Sequence, residues 1–147
     1  MPTGGRLAGA ILFAALMGYM SFMTIGMFEG INTPRWYHEI NIAAGAIIGW
    51  HIAGPRAGLG YVAGASLGLT TVIAAVFFAL FTHGITQMFR FAIKSKYYDG
   101  PVEAVVDAMQ IALKTGSTLA KPEVIGTLLI GGIIAGIVTE FVDHRFS

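Results

Sequence analysis

A chain of 147 residues in which 55% are hydrophobic and only 12% charged, with a mean hydropathy of +0.71, is too apolar for an ordinary soluble domain of this size. The formal net charge of +1 leaves no polybasic surface for nucleic acid and no acidic tail, and the absence of cysteine excludes disulfides, thiolate metal ligation and thiol redox chemistry. The chain reads as a single transmembrane domain, because four spans of roughly 20 residues each with their connections would use nearly all of it.

The first predicted span, residues 7–28, follows one basic residue and carries no charge. Its apolar run exceeds the roughly 7–15 residues of a signal-peptide core, so it reads as a retained span. The following "EGINTPRWYHE" is turn-rich through Gly30, Asn32 and Pro34, with Trp36 and Tyr37 suited to a lipid–water interface. The second span, residues 40–54, is short: about fifteen residues of helix rise some 22 Å against a hydrocarbon core of roughly 30 Å. It is read as a span that uses flanking residues or thins the bilayer, with a re-entrant segment as the alternative. "GPRAGLG", residues 54–60, is a tight connector in which Pro55 ends one helix and the glycines permit a sharp reversal.

The third span covers residues 61–82, and its helix is expected to continue through "THGITQMFRFAIKSK" as the sequence turns basic. The fourth covers 122–142, where Pro122 suits the first turn, Glu123 the positive helix end, and Asp143, His144 and Arg145 stop it. Between them lies "KYYDGPVEAVVDAM". Asp99, Gly100 and Pro101 form a turn and helix start, and Val102, Val105, Val106, Met109 and Leu113 recur at helical spacing. Glu103, Asp107, Gln110 and Lys114 take the other faces. An amphipathic helix over 101–119 is predicted, lying on the membrane surface or capping the bundle, with Tyr97 and Tyr98 in the headgroup zone. The fold class is therefore all-α: an integral membrane four-helix bundle with an amphipathic interfacial helix between the third and fourth spans.

Four spans place Arg6, Arg56 and Arg145 on one side and Arg35, Arg90, Lys94, Lys96, Lys114 and Lys121 on the other. The positive-inside rule then prefers the amphipathic segment in the cytoplasm and both termini outside.

Twenty glycines invite a packing explanation. Small residues recur at four-residue intervals in every span: Ala10, Ala14 and Gly18; Gly45, Gly49 and Ala53 after Asn41; Gly60, Gly64 and Gly68; Gly132 and Gly136. Lipid tails are as apolar as leucine, so spanning helices associate by close backbone approach, which such stripes allow. Internal packing is the main reading, and contact with a partner protein or lipid the second.

Polar residues are few. Asn41 continues a glycine stripe and is expected to form an interhelical hydrogen bond. Glu140 continues the Gly132–Gly136 stripe, and His51, His144 or Arg56 are its expected partners, with a proton or ion site as the alternative to a structural pair. At the opposite end His83, Gln87 and Arg90 share one helix face, within reach of His38 and Glu39. Such groups can hold a metal or an oxyanion, but no paired ligand motif supports it. Met17, Met20, Met23 and Met27 read as flexible packing instead of a soft-ion site. No catalytic residue or nucleophile motif is visible.

The order of "MPTGGRLAGAILFAAL", "INIAAGAIIGW", "GPRAGLGY", "YYDGPVEAVVDAM" and "LLIGGIIAGIVTEF" resembles the TrgA-like family of small bacterial membrane proteins over nearly the whole chain. Its sharpest element is "YDGPVEAV", with Tyr98, Asp99, Gly100, Pro101 and Glu103. The resemblance implies an inner-membrane protein of alphaproteobacteria associated with resistance to tellurium oxyanions, without supplying a mechanism. A cysteine-free chain lacks the thiols that reductive detoxification usually employs, so a non-enzymatic effect on tellurite sensitivity is expected. The alternative is a small accessory subunit of a photosynthetic or respiratory complex, and third comes an oligomeric ion or oxyanion transporter. No cofactor is assigned; lipid contacts are expected, and a pigment or quinone contact would accompany the subunit reading.

Overall fold

The computed structural model describes residues 4–28, 35–94 and 99–146. Among the described residues there are five α-helices: α1 (Gly4–Thr24), extended by a 3-10 turn (Ile25–Phe28), α2 (Tyr37–Ile48), α3 (Tyr61–Lys94), α4 (Pro101–Leu119) and α5 (Pro122–Phe146). No strand occurs among the described residues. Among the described residues three helical segments, α1 with its turn, α3 and α5, are long and apolar enough to cross a membrane, which is compatible with a multi-pass membrane protein. Their outward faces fit that reading, since Leu7, Ile11, Phe22, Ile73, Phe77 and Ile130 are all exposed. The turn-rich segment 29–34 and the aromatic pair Tyr97 and Tyr98 lie outside the described residues.

α2 is α-helical for 12 residues and then widens into a π turn (Gly49–Ala53) and tightens into a 3-10 turn (Gly54–Arg56). The register changes there, so that Ala53 and Gly54, adjacent in sequence, are both buried. Pro55 therefore falls inside the helical run, in its last short turn, and the chain becomes extended only at Ala57. A Cβ on Gly18 would meet Ile42 and one on Gly54 would meet Arg6, so α1 and α2 run antiparallel along most of their length. α1 and α5 are also antiparallel, with Gly5 beside Asp143 and Gly131 beside Leu16. Phe13, Ala53, Val72 and Ala135 meet at the centre, one from each of α1, the π turn, α3 and α5.

α3 is the axis of the molecule. Its 34 residues rise about 51 Å, well beyond a hydrocarbon core of roughly 30 Å. The N-terminal half packs on α5, through Gly64 against Gly136 and Gly68 against Gly132. The C-terminal half packs on α4, through Gly84 against Ala108 and Leu80 against Gly116. α4 and α5 thus follow one another along α3, both antiparallel to it, separated by Ala120 and Lys121.

The helix expected over 101–119 is present as α4: it pairs with α3 through small residues, among them Ala108 and Gly116, while Val102, Val105, Val106, Met109 and Leu113 remain exposed. Close backbone approach along the small stripe, not the large apolar face, directs its packing. α5 does not stop at 142 but continues through Asp143, His144 and Arg145 to Phe146. Charge ends an apolar run without ending a helix, and a basic last turn complements the helix dipole.

Candidate functional site

Two clusters of buried polar groups lie at opposite ends of the bundle. At the connector end, Glu140 is 1% exposed. Its Oε2 accepts the Gly58 N–H at 2.7 Å and its Oε1 the Gly60 N–H at 2.5 Å, while His144 Nε2 lies 3.0 Å from Oε1. Gly58 and Gly60 have φ of +99° and +104°. Only glycine takes that left-handed backbone without strain, and here two donors on either side of Leu59 turn toward one carboxylate. Of the three partners expected for Glu140, the structure gives His144. His51 is exposed and bonds Ile47 O at 2.8 Å through Nδ1, and Arg56 is also exposed. The two backbone donors escape a reading that looks only for charged partners. Two glycines in a short connector, level with a buried carboxylate, were the available signal.

The glycines predicted to pack helices are placed as follows. Gly45, Gly49, Gly64, Gly68, Gly132 and Gly136 are buried, and a Cβ on Gly45 would strike Phe13 O, on Gly49 Gly9 O, on Gly68 Gly132 O and on Gly136 Gly64 O. In α1 the closest approach runs along Gly5, Gly9 and Phe13 instead: Ala14 is half-buried, and Gly18 meets only the Ile42 side chain.

At the opposite end, α1, α2 and α3 converge. Thr24 Oγ1 donates to Met20 O at 2.7 Å, so the 2.8 Å contact between Thr24 Oγ1 and Tyr37 Oη uses the tyrosine proton. Ser21 Oγ likewise donates to Gly18 O at 2.7 Å, which makes His38 Nδ1 the donor in its 2.8 Å contact with Ser21. Asn41 Oδ1 lies 3.3 Å from His83 Nε2, so the expected interhelical bond of Asn41 joins it to His83. The Tyr37 ring stacks on the His83 imidazole with centroids 5.0 Å apart. His38 pairs with α1, by hydrogen bond to Ser21 and by stacking on Phe22, and not with His83. Arg90 faces a separate surface groove with Arg35 and Trp36.

The His83 cluster borders a cavity of about 220 Å³ between α1, α2, α3 and the α4–α5 junction. Apart from Ser21, Thr24, Tyr37, Asn41 and His83 its walls are apolar, with Met17 and Met20 contributed by α1. Among the described residues no three His, Asp or Glu side chains are grouped to hold a metal ion.

The start of α4 is built by the motif that carried the family resemblance. Gly100 is extended, Pro101 occupies the first turn, where a missing N–H costs nothing, and Glu103 reaches back to accept the Asp99 N–H at 2.8 Å. These residues make a helix cap, and Tyr98 lies outside the described residues.

Comparison of the chain with family models, curated proteins and solved structures returns no match.

Proposed function

We propose that this chain is a non-enzymatic, multi-pass inner-membrane protein that acts as a small accessory subunit of a larger membrane complex. On this reading the tellurite resistance implied by the TrgA-like resemblance follows from its place in that complex. α2 counts as a fourth span because it keeps pace with α1: Tyr37 bonds Thr24 at one end and Gly54 abuts Arg6 at the other.

The observation that carries the subunit reading is the outward face of α4. Val102 and Leu113 are 74% and 72% exposed, and Val105, Val106 and Met109 join them in one stripe. Because α4 packs antiparallel on α3, this stripe runs along the bundle axis, not in the membrane plane where an interfacial helix would lie. It also lies beside the C-terminal half of α3, between the exposed charges Glu103 and Lys114. A lengthwise apolar stripe flanked by charges fits the helix of a neighbouring subunit.

The test is gentle detergent extraction of the tagged protein from native membranes, followed by size analysis and identification of co-eluting proteins. The expected result is elution with a photosynthetic or respiratory complex at fixed stoichiometry, lost in a Val105→Glu/Leu113→Glu variant whose own thermal unfolding is unchanged. Elution alone or as a small homo-oligomer overturns the proposal.

A further inference from the structure

We infer that the surface groove between α3 and the turn preceding α2 binds the headgroup phosphate of an anionic phospholipid, held between the guanidinium groups of Arg35 and Arg90. The site stands apart from the docking face of α4, since no residue of α4 lines the groove.

Arg35 and Trp36 form one wall of the groove, which holds about 460 Å³, and the last turns of α3 form the other. Its polar side chains are almost all donors. Arginine and tryptophan carry N–H groups and no acceptor. Thr86 has already given its hydroxyl proton to Thr82 O at 2.8 Å. No carboxylate lines the groove, and among the described residues neither Arg35 nor Arg90 has an ion-pair partner. Glu39, four residues after Arg35, is exposed and lies outside it. Two like charges on one groove repel each other unless an anion sits between them. Phosphate suits the position, because its oxygens match the guanidinium fork in a bidentate contact. The Arg35 guanidinium rests over the Trp36 ring, 5.8 Å from its centroid, and this contact orients the fork.

The same groove has an apolar strip. Ile85, Phe89 and Ile93 follow one another at four-residue spacing, with Phe89 57% and Ile93 84% exposed. Residues 57–89 contain no Asp, Glu, Lys or Arg, so Arg90 marks the point where the apolar run of α3 turns basic. Headgroup phosphates lie at such a boundary, tryptophan is favoured there, and basic pockets between spanning helices take anionic headgroups. A phosphate that carries an acyl chain covers both the donors and the strip. A free anion would leave the strip bare.

The test uses the full chain in phosphatidylcholine nanodiscs. Trp50→Phe, which keeps a ring at a half-buried position, leaves Trp36 as the one remaining tryptophan of two. Trp36 fluorescence is then quenched with small amounts of phosphatidylglycerol or phosphatidylcholine bearing the same brominated acyl chains. Phosphatidylglycerol is expected to reach Trp36 with about 25-fold higher apparent affinity, roughly fivefold for each arginine. Arg35→Gln and Arg90→Gln, both at exposed positions, should each lower that preference about fivefold, and the two together should erase it. Lys114→Gln with Lys121→Gln removes the same charge outside the groove and should leave the preference intact. Inorganic phosphate at matched ionic strength should not displace the lipid. Equal quenching by the two lipids, a preference that survives loss of both arginines, the same loss in the lysine variant, or displacement by inorganic phosphate would overturn the site.

Discussion

At the connector end of the bundle, Glu140 receives two backbone N–H groups and a histidine, and α3 and α5 approach until glycine backbones touch. At the opposite, hairpin end, where α1 gives way to α2, Met17, Met20, Tyr37 and His83 line a cavity, and one buried nitrogen has no hydrogen-bond partner among the described residues. The same chain therefore builds one end for closeness and satisfaction and the other for space and an unmet hydrogen bond. Glycine pairs make a rigid reference, and large flexible side chains make a vessel.

The sharpest way to break this comparison is to remove the close contact. A Cβ on Gly68 would land on the Gly132 carbonyl oxygen and 3.0 Å from Gly136 Cα, and backbone cannot move aside as a side-chain tip can. Gly68→Leu is expected to cost upwards of about 3 kcal/mol, or to prevent assembly of α3 with α5. Denaturant titration in detergent would show it, and near-wild-type stability would mean that the contact is not tight.

The next effect is smaller and concerns the latch. Glu140→Ala leaves the Gly58 and Gly60 N–H groups without their acceptor, at an expected cost of about 2–4 kcal/mol. Glu140→Gln keeps one oxygen and should lose about half of that. His51→Ala, at an exposed residue whose sequence position suggested a pairing with Glu140, should change stability by less than about 0.5 kcal/mol. Equal effects of Glu140→Ala and His51→Ala would erase the distinction between the latch and its surroundings.

Much of the connector end was legible in the sequence. Four-residue spacing placed Gly45, Gly49, Gly64, Gly68, Gly132, Gly136 and Glu140 on buried faces, because the helical repeat alone decides which positions align. Pairing between helices was not legible. Ala14 satisfies the same spacing as Gly9, and only the crossing geometry gives the closer role to Gly9. The hairpin end was harder to read for a different reason. Asn41 and His83 are 42 positions apart, and nothing local shows that an antiparallel turn brings them together. α4 was legible as an amphipathic helix, but its contact was not: the five large apolar side chains remain exposed, while the weaker stripe containing Ala108 and Gly116 meets α3.

The finest test uses one helix and one residue type. α5 contains Gly126 near its start and Gly136 further on, indistinguishable by composition. A Cβ on Gly136 would collide with Gly64 O, whereas one on Gly126 meets no atom of the described residues within 4 Å. Gly126 thus confers no close approach, yet it retains the backbone entropy that glycine loses on entering a helix interior. Gly126→Ala should therefore stabilise the protein by about 0.5–1 kcal/mol, opposite in sign to any substitution at Gly136. The measurement is the midpoint of thermal unfolding in one detergent for both variants. If Gly126→Ala destabilises, the cavity end is packed as closely as the connector end and the contrast between them fails. If it stabilises, glycine spacing in this chain divides into positions where a backbone must fit and positions where only the sequence pattern continues.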